Sequence, residues 1–328
     1  MVGLEVMQPI TTNYLKGASF GVLAVSIWAS WSAITRLAVT TSLDAWDIVA
    51  LRFGVAGILL SPILLRRGLA LDKLGWLGLA GIIAGTGALY AFVAAEGLRF
   101  APAYDGGALN PAVMPLFVAL IGAIVLRERL SKTRKFGLLF ILAGAVLMIG
   151  GNTETHGTTW STSRTFGDAL FLLAAFLTAI FTVVTRQTKL DPFHAAALVS
   201  TGSLIISLPM YFALSGHHLL QIPVADLAVQ AVFQGVLVTI ISLVLYVRSV
   251  AILGASGGAA FGALVPALTA FIAIPLLGEW PSDIGWVAIV LISAGVYLTS
   301  GGPLPRRVGI ILDRESARPS ARSPNSTT

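Results

Sequence analysis

Long uncharged stretches recur along the chain, and short clusters of charged residues separate them. Seven of these stretches hold 17 to 22 residues without Asp, Glu, Lys or Arg. A helix that crosses the hydrocarbon core of a bilayer needs about 20 apolar residues. The pattern therefore predicts an all-α polytopic membrane protein with ten transmembrane helices, over Gly17–Thr35, Ala45–Leu65, Leu74–Ala95, Gly106–Leu126, Phe136–Thr153, Ala169–Thr185, Phe193–Leu214, Leu227–Val247, Gly254–Leu277 and Ile284–Pro305.

The composition agrees with a membrane protein. Hydrophobic residues make up 56% and charged residues 11% of the 328 residues, whereas soluble domains are about 25% charged. The basic residues give a pI near 9.9, but they are scattered between apolar blocks and do not indicate a nucleic-acid partner. The chain has no cysteine, which excludes disulfides and cysteine-based metal sites.

Two segments of the chain repeat each other. When Ala103–Gly151 is compared with Gly254–Gly302 at an offset of 151, 16 of 49 positions are identical without a gap. Each copy belongs to a unit of five spans, and because five is odd the second unit must be inverted relative to the first. We therefore expect two inverted five-helix repeats, an arrangement that in transporters places the binding site between the halves.

The repeat and the charges together predict the domain boundaries and the orientation. We expect a first repeat over residues 17–151, an outer linker over 152–165, a second repeat over 166–302 and a disordered cytoplasmic tail over 303–328. With the N-terminus inside, 17 Lys and Arg residues lie on the cytoplasmic side and 3 on the outer side, in agreement with the positive-inside rule. The sequence thus predicts a multi-pass protein of the inner (plasma) membrane with both termini in the cytoplasm.

Several motifs in these spans resemble those of the drug/metabolite transporter superfamily, in particular its EamA-type members. In chain order they are Trp28 with Ser32–Arg36, Arg52-Phe53 followed by Ala56, and the two Pro-to-Glu segments Pro115–Glu128 and Pro266–Glu279. The second copy has Ser200-Thr201-Gly202 in place of the Arg-Phe pair. The resemblance implies a ten-helix carrier of small metabolites that works by alternating access, and it leaves the solute open. Glu128 and Glu279 are expected on opposite faces of the membrane, each stabilising the link to the next helix.

Four charged residues inside or near the ends of spans are candidates for gating or coupling: Arg52, Glu96, Asp105 and Arg248. A charge at the centre of a span costs about 2.5–3.5 kcal/mol on insertion scales. Arg52 either contacts the solute or a gate, or anchors its helix by reaching towards the outer headgroups. Glu96 and Arg248 lie at opposite mouths and either gate them or face water, and Glu96 is the first candidate for a coupling proton. Asp105 either caps the fourth span or contacts the solute.

Aromatic side chains deep in the spans are candidates for solute binding. Trp28, Trp31, Tyr90 and Tyr246 lie within the first, third and eighth spans, although Trp and Tyr are enriched at membrane interfaces. Each of them either lines a central cavity or serves helix packing.

Prolines are expected to interrupt the fourth and ninth spans at Pro111, Pro115 and Pro266. An interrupted helix in a membrane must face protein or a water-filled cavity, so both spans are placed against the central cavity. Asn110 precedes the first of these prolines and is either a solute ligand or an interhelical hydrogen-bond partner.

We expect a secondary transporter, not an enzyme, that moves an amino acid or a similar small metabolite, with export favoured. No cofactor or metal is expected. The expected partners are the solute, the lipid bilayer and, in one version, a coupling proton, with a monomer as the working expectation. The alternatives are a carrier of drugs, nucleotides or sugar derivatives, a channel, or an intramembrane aspartyl protease that would use Asp105 and Asp168.

Overall fold

The computed structural model describes residues 8–125, 127, 130–151, 162–214 and 218–301. These residues form helices and no β-strand. Glu128, most of the predicted linker and the predicted tail lie outside the described residues, and residues 162–165 of that linker already belong to a helix. The α-helices are α1 (Gln8–Thr41), α2 (Ala45–Arg67), α3 (Leu71–Thr86), α4 (Ala88–Phe100), α5 (Ala103–Leu109), α6 (Met114–Val125), α7 (Lys132–Gly150), α8 (Thr162–Thr188), α9 (Pro192–Leu214), α10 (Val224–Ala231), α11 (Ser242–Ala260), α12 (Val265–Leu277) and α13 (Asp283–Thr299).

Eight helical segments among the described residues are long and apolar enough to cross a membrane. They are Asn13–Thr41, Ala45–Arg67, Leu71–Phe100, Ala103–Val125, Lys132–Gly150, Thr162–Thr188, Pro192–Leu214 and Val224–Leu277, and α13 is a shorter apolar helix. Large apolar side chains such as Leu77, which is 90% exposed, lie on the outside of this bundle. A bilayer is the environment in which such a surface is stable.

The segment Val224–Leu277 is 54 residues long and contains the eighth and ninth predicted spans. It runs from α10 through a π-helical stretch (Val232–Ile241), α11 and a short 3₁₀ turn (Phe261–Leu264) into α12. Its backbone is broken at Gly254, whose φ of 79° lies in the left-handed region that glycine adopts most readily. The sequence places the start of the ninth span at this same residue.

The internal repeat is visible in the helix boundaries. The fourth span is interrupted at residues 110–113 and the corresponding turn of the second repeat is Phe261–Leu264, so that α6 and α12 both begin 151 residues apart. Ser131 and Ser282, a further pair at the same offset, cap α7 and α13 with the same side-chain hydrogen bond.

The prolines fall at these interruptions, but only one lies within the break itself. Pro111 is part of the turn between α5 and α6. Pro115 and Pro266 are the second residues of α6 and α12, so the expectation that they interrupt a helix is wrong. A proline in the first turn of a helix is tolerated because its missing N–H has no intrahelical acceptor there.

Equivalent helices of the two repeats pack against each other. On α7 and α13, a methyl group added at Gly144 would lie 2.6 Å from Ile292, and one added at Gly295 would lie 2.6 Å from the Gly137 carbonyl oxygen. Contact positions that rise along α7 fall along α13, so the two helices are antiparallel. Helices α2 and α9 pack in the same antiparallel sense.

The remaining contacts between the repeats follow the same scheme. Helix α1 packs against α11, while α3 and α4 of the first repeat pack against α8 of the second. Helix α5 packs against α12, but its continuation α6 packs against α8. The two repeats therefore share an interface that is built from the first, third and fourth spans and their counterparts.

Candidate functional site

A buried polar layer crosses the interface between the repeats in the C-terminal third of α1, at Trp31 and Thr35. Trp31 donates its Nε1–H to Gln234 Oε1 at 2.8 Å, and Gln234 Nε2 donates to Thr35 Oγ1 at 3.0 Å. Gln234 is fully buried and lies in the π-helical stretch. Such wide turns are rare and often occur at functional sites. The sequence identified Trp31 as a candidate for solute binding but gave no indication of a role for Gln234.

Two further predicted residues, Tyr90 and Asn110, meet in this layer. Asn110 Nδ2 donates to the Tyr90 hydroxyl at 3.1 Å, and Asn110 is 3% exposed. Asn110 lies at the end of α5, where the helix is interrupted. The structure thus joins the third and fourth spans through a hydrogen bond between two of the candidate side chains.

Arg52 enters the same region from α2. Its guanidinium carbon lies 6.0 Å from the centre of the Trp31 ring and 5.6 Å from that of Phe53. The side chain is partly buried, and Tyr90 is the ionisable group that acts on its guanidinium. Within the described ranges no carboxylate pairs with Arg52, and its buried Nε has no hydrogen-bond partner. Its contacts with Trp31 and Phe53 place the guanidinium beside the polar layer.

Trp28 and Tyr246 form a second aromatic contact between the repeats, one turn of α1 away from Trp31. Their ring centres are 5.1 Å apart, and Trp28 Nε1 donates to Ser242 Oγ at 2.9 Å. All five residues predicted to bind the solute therefore lie at or next to the interface between the repeats. They form two groups, one around Tyr90 and Trp31 and one around Trp28.

An ion pair joins the repeats at the end of the bundle where α1 ends, which we call the Arg36 end. Arg36 Nε lies 2.9 Å from Glu279 Oε1 and also donates through its Nη1 to the Leu98 carbonyl. Glu279 Oε2 accepts the Ala103 N–H at 2.7 Å. Beyond the expected role at its own link, Glu279 thus bridges α1 and α5 of the other repeat through its carboxylate.

Asp105 forms a second ion pair across the repeats at this end. Its two oxygens accept from Arg164 Nε at 2.7 Å and Nη2 at 3.0 Å, and the Arg164 guanidinium lies over the Tyr104 ring. Asp105 is fully buried, and it lies in the first turn of α5, as expected for a charge at a helix N-terminus. Asp168 lies within hydrogen-bonding reach of Asp105. The two aspartates do meet, but Arg164 occupies both oxygens of the first.

Glu96 and Arg248 lie outside these contacts. Glu96 pairs with Arg99 one turn later on the same helix at 2.9 Å, while the Arg248 guanidinium lies 5.8 Å from the centre of the Phe20 ring. Neither residue makes an ion pair between the repeats among those that the structure describes. The structure therefore brings Asp105 into an ion pair between the repeats, whereas Arg248 meets the other repeat at the Phe20 ring of α1 and Glu96 pairs within its own helix.

Asp47 holds the N-terminal part of α2 to α9 and to the segment that follows it. Its carboxylate accepts from the Asp44 N–H, the Tyr211 hydroxyl and His218 Nδ1, which lies at 2.7 Å. Asp44, Asp47 and His218 lie close enough together to hold a metal ion. Because three partners already occupy the fully buried Asp47, these residues serve as a helix cap and an interhelical tie. The sequence treated His218 as part of a loop.

The opposite end of α2 carries a looser contact. Arg67 and Asp191 form an ion pair at 2.8 Å with side chains about half exposed, at 51% and 47%. Desolvation acts to raise the pKa of Asp191, but hydrogen bonds from the His194 backbone and from Arg67 outweigh it and hold the pKa below the usual 3.8. Solvent screens such an exposed pair, so this end is held less firmly than the Arg36 end.

Comparisons with known proteins place the chain among transporters. The model of the EamA-like transporter family matches residues 15–150 and again residues 165–301. An uncharacterized transporter of Archaeoglobus fulgidus is 26% identical over 283 residues, 85% of this chain and 95% of that protein. A probable terminal-alkyne amino-acid exporter of Streptantibioticus cattleyicolor is 27% identical over 313 residues, 92% and 97% of the two chains.

A solved crystal structure has the same fold. It is 19% identical, superposes with a TM-score of 0.54 and covers 91% of this chain and 98% of its own. The two family matches cover both repeats and most of the described residues. The chain therefore belongs to the EamA-like transporter family and is a membrane transporter of small solutes, not an enzyme.

Proposed function

We propose that the protein is a secondary carrier that exports an amino acid or a similar small metabolite by alternating access. The observation that carries this proposal is the layer of polar and aromatic side chains enclosed between the repeats, with ion pairs that join the repeats on one side of it. A carrier needs a central site and a closure that can be broken on each side in turn. The interface between the repeats offers a central site and one such closure.

The membrane topology that we propose has ten spans. A straight helix of 54 residues would be about 80 Å long, whereas the hydrocarbon core is about 30 Å thick. We therefore divide Val224–Leu277 at Gly254, where the backbone is broken, and count α13 as the tenth span. The remaining seven segments each cross once.

The packing of equivalent helices supports an inverted arrangement of the repeats. Helix α7 is antiparallel to its counterpart α13, and α2 is antiparallel to α9. If both repeats had the same orientation in the membrane, equivalent helices would run in the same direction. Antiparallel equivalents therefore favour the inversion that an odd number of spans demands.

The distribution of Lys and Arg favours a plasma-membrane protein with both termini in the cytoplasm, and the Arg36 end would then be the outer end. There α5 meets α12, whereas α6 turns towards α8 in the other half of the membrane. We assign this conformation to a state that is closed on the outside. Opening would break the contacts of Glu279 and Asp105.

An amino acid is the solute class that we favour. The Streptantibioticus cattleyicolor relative is described as an amino-acid exporter, and the aromatic rings of Trp28, Trp31, Tyr90 and Tyr246 offer apolar area beside polar atoms. Drugs, nucleotides and sugar derivatives are the alternative classes. A channel is disfavoured by the two ion pairs that close the outer end.

A proton gradient is one source of energy for this transport. Glu96 stays the sequence-based candidate for the coupling carboxylate, although it pairs with Arg99 on its own helix. In vesicles with an imposed pH gradient, we expect Glu96→Gln to reduce the dependence of transport on that gradient. Full retention of this dependence would remove Glu96 from the mechanism.

Counterflow in proteoliposomes tests the carrier proposal. Vesicles loaded with one amino acid at a time receive a labelled amino acid from outside, and a carrier accelerates its uptake when the internal species is also a substrate. We expect acceleration for a subset of amino acids. Absence of counterflow for all of them, with protein that unfolds cooperatively on heating, would contradict the amino-acid proposal, and counterflow of other solute classes would then replace it.

A further inference from the structure

We propose that Arg52 and Tyr90 form a binding site for a single carboxylate group of the transported solute. The inference rests on the proposed function, because it assumes that the solute passes through the layer between the repeats. It goes further by naming the chemical group that is recognised and the two donors that recognise it.

Arg52 is a cation without an anion. An arginine in protein stays protonated, and a charge buried without a partner costs several kcal/mol. The described residues offer it two aromatic rings and a phenol, but no carboxylate and no hydrogen-bond acceptor for its Nε. Arg52 lies about 10 Å along the helix axis from Ala45, where α2 begins. An arginine that serves only to anchor the end of the helix does not need to lie so far inside it. Arg52 is only partly buried, so that part of its guanidinium is accessible, and an anion that arrives with the solute would pair with it.

The rings leave the edge of the guanidinium as the place for this anion. Trp31 and Phe53 both lie within cation–π distance of the Arg52 guanidinium carbon. Aromatic contacts of this kind use the face of the guanidinium, whereas its N–H groups point outwards in its plane and match the two oxygens of a carboxylate. Arg52 is thus oriented by its neighbours without losing its donors.

Tyr90 supplies a second donor. Its hydroxyl oxygen accepts a hydrogen bond from Asn110 Nδ2, so its proton is directed away from the amide. In the part of the chain that the structure describes, that proton has no acceptor. The Asn110 side chain therefore acts as a positioning group that turns the Tyr90 hydroxyl towards an incoming oxygen.

The charge of the site fits a monoanion. Arg52 contributes one positive charge, while Tyr90, Asn110, Trp31 and Gln234 are neutral. One carboxylate balances this charge, whereas a phosphate monoester with two negative charges would leave one of them uncompensated in a buried layer. The site therefore favours solutes with one carboxylate over nucleotides; for an amino acid this balance concerns the carboxylate and not the ammonium group.

Thiol labelling tests the anion site without knowledge of the solute. The chain has no native cysteine, so Asn110→Cys introduces the only thiol beside Tyr90 and Arg52. It also removes the amide that positions the Tyr90 hydroxyl, so this assay reports on the charge of Arg52. Its labelling rate is measured with an anionic sulfonatoethyl and with a cationic trimethylammonioethyl methanethiosulfonate. We expect Arg52→Gln to lower the anionic-to-cationic rate ratio about tenfold, because one charge at this range in a partly buried site has roughly that effect.

Two control variants define the result. Arg52→Lys keeps the charge and should keep the ratio, and Arg66→Gln, which removes an exposed arginine from the same helix, should not alter it. A ratio that Arg52→Gln leaves unchanged would overturn the anion site, and so would a thiol that neither reagent reaches from either side of the membrane.

Protection and transport then separate this inference from the carrier proposal. We expect amino acids to protect the Asn110→Cys thiol and their amides, which keep the ammonium group but lack the carboxylate, to protect it less. Equal protection would overturn the carboxylate site. If amides also support counterflow as well as the acids do, the carrier proposal stands and the anion site fails. If the rate ratio shifts but counterflow is absent for every solute, the anion site stands and the carrier proposal fails.

Discussion

Glu279→Gln is expected to open the outer end of the protein. The carboxylate of Glu279 holds Arg36 at 2.9 Å and the Ala103 N–H at 2.7 Å, and the two charged side chains are only 19% and 17% exposed. Removal of one partner from a fully buried ion pair costs about 3–5 kcal/mol, and exposed pairs contribute about 0.2–1 kcal/mol. An intermediate loss of about 2 kcal/mol corresponds to about a 30-fold change in a two-state equilibrium, since about 1.4 kcal/mol is a factor of ten.

The assay follows the access of water to the central layer from the outer side. Asn110→Cys is combined with Glu279→Gln, and intact cells are treated with a maleimide that does not cross the membrane. If opening precedes labelling, the labelling rate should rise by up to about 30-fold, because the rate is proportional to the open population. The matched control is Asp191→Asn, which neutralises an interhelical ion pair that is about half exposed at the other end.

Two results would refute the reasoning. A labelling rate that Glu279→Gln leaves unchanged would mean that the ion pair does not close the outer end. An equal acceleration in Asp191→Asn would mean that the effect comes from general loosening of the helices.

Three further predictions concern packing, the polar layer and pH. Gly295→Ala should lower stability by about 1–3 kcal/mol, seen in thermal unfolding, because its methyl group would lie 2.6 Å from the Gly137 carbonyl oxygen; Gly54→Ala, with open space around it, should not. Trp31→Phe should slow counterflow, because the buried Gln234 Oε1 loses its donor, at about 1–3 kcal/mol; an unchanged rate would count against this layer. The lowered pKa of Asp191 means that its stabilisation is present above the usual 3.8 and is lost as the pH falls through the folded value. Unfolding midpoints at acid pH should show a decline that Asp191→Asn reduces, and identical pH profiles would contradict this.

The helices could be predicted from the sequence because charge is costly in lipid. The gaps between charged residues locate the segments that cross the membrane, and the start predicted at Gly254 coincides with a break in the backbone. The offset of 151 also holds in detail, since α6 and α12 begin at equivalent residues. The ends and breaks of a helix can be predicted in this way because they depend on residues that are close in the chain.

The contacts that close the outer end could not be predicted in the same way. Arg36 and Glu279 are 243 residues apart, and Trp31 and Gln234 are 203 residues apart. Which charges meet depends on which helices become neighbours, and no periodicity of a single helix determines that. The sequence therefore identified Trp31 and Asp105 as candidates but missed their partners Gln234 and Arg164.

The contact between α7 and α13 has the reciprocity of an isologous dimer interface. Gly144 meets Ala288 and Ile292, and Gly295 meets Gly137 and Ile141, which are the same pairs exchanged between the copies at the offset of 151. An ancestral five-helix unit could thus have paired with a second copy of itself through this one surface. In such a symmetric pair, one substitution changes both symmetry-related contacts. After duplication and fusion the two copies are free to diverge, and a substitution changes only one of the two contacts.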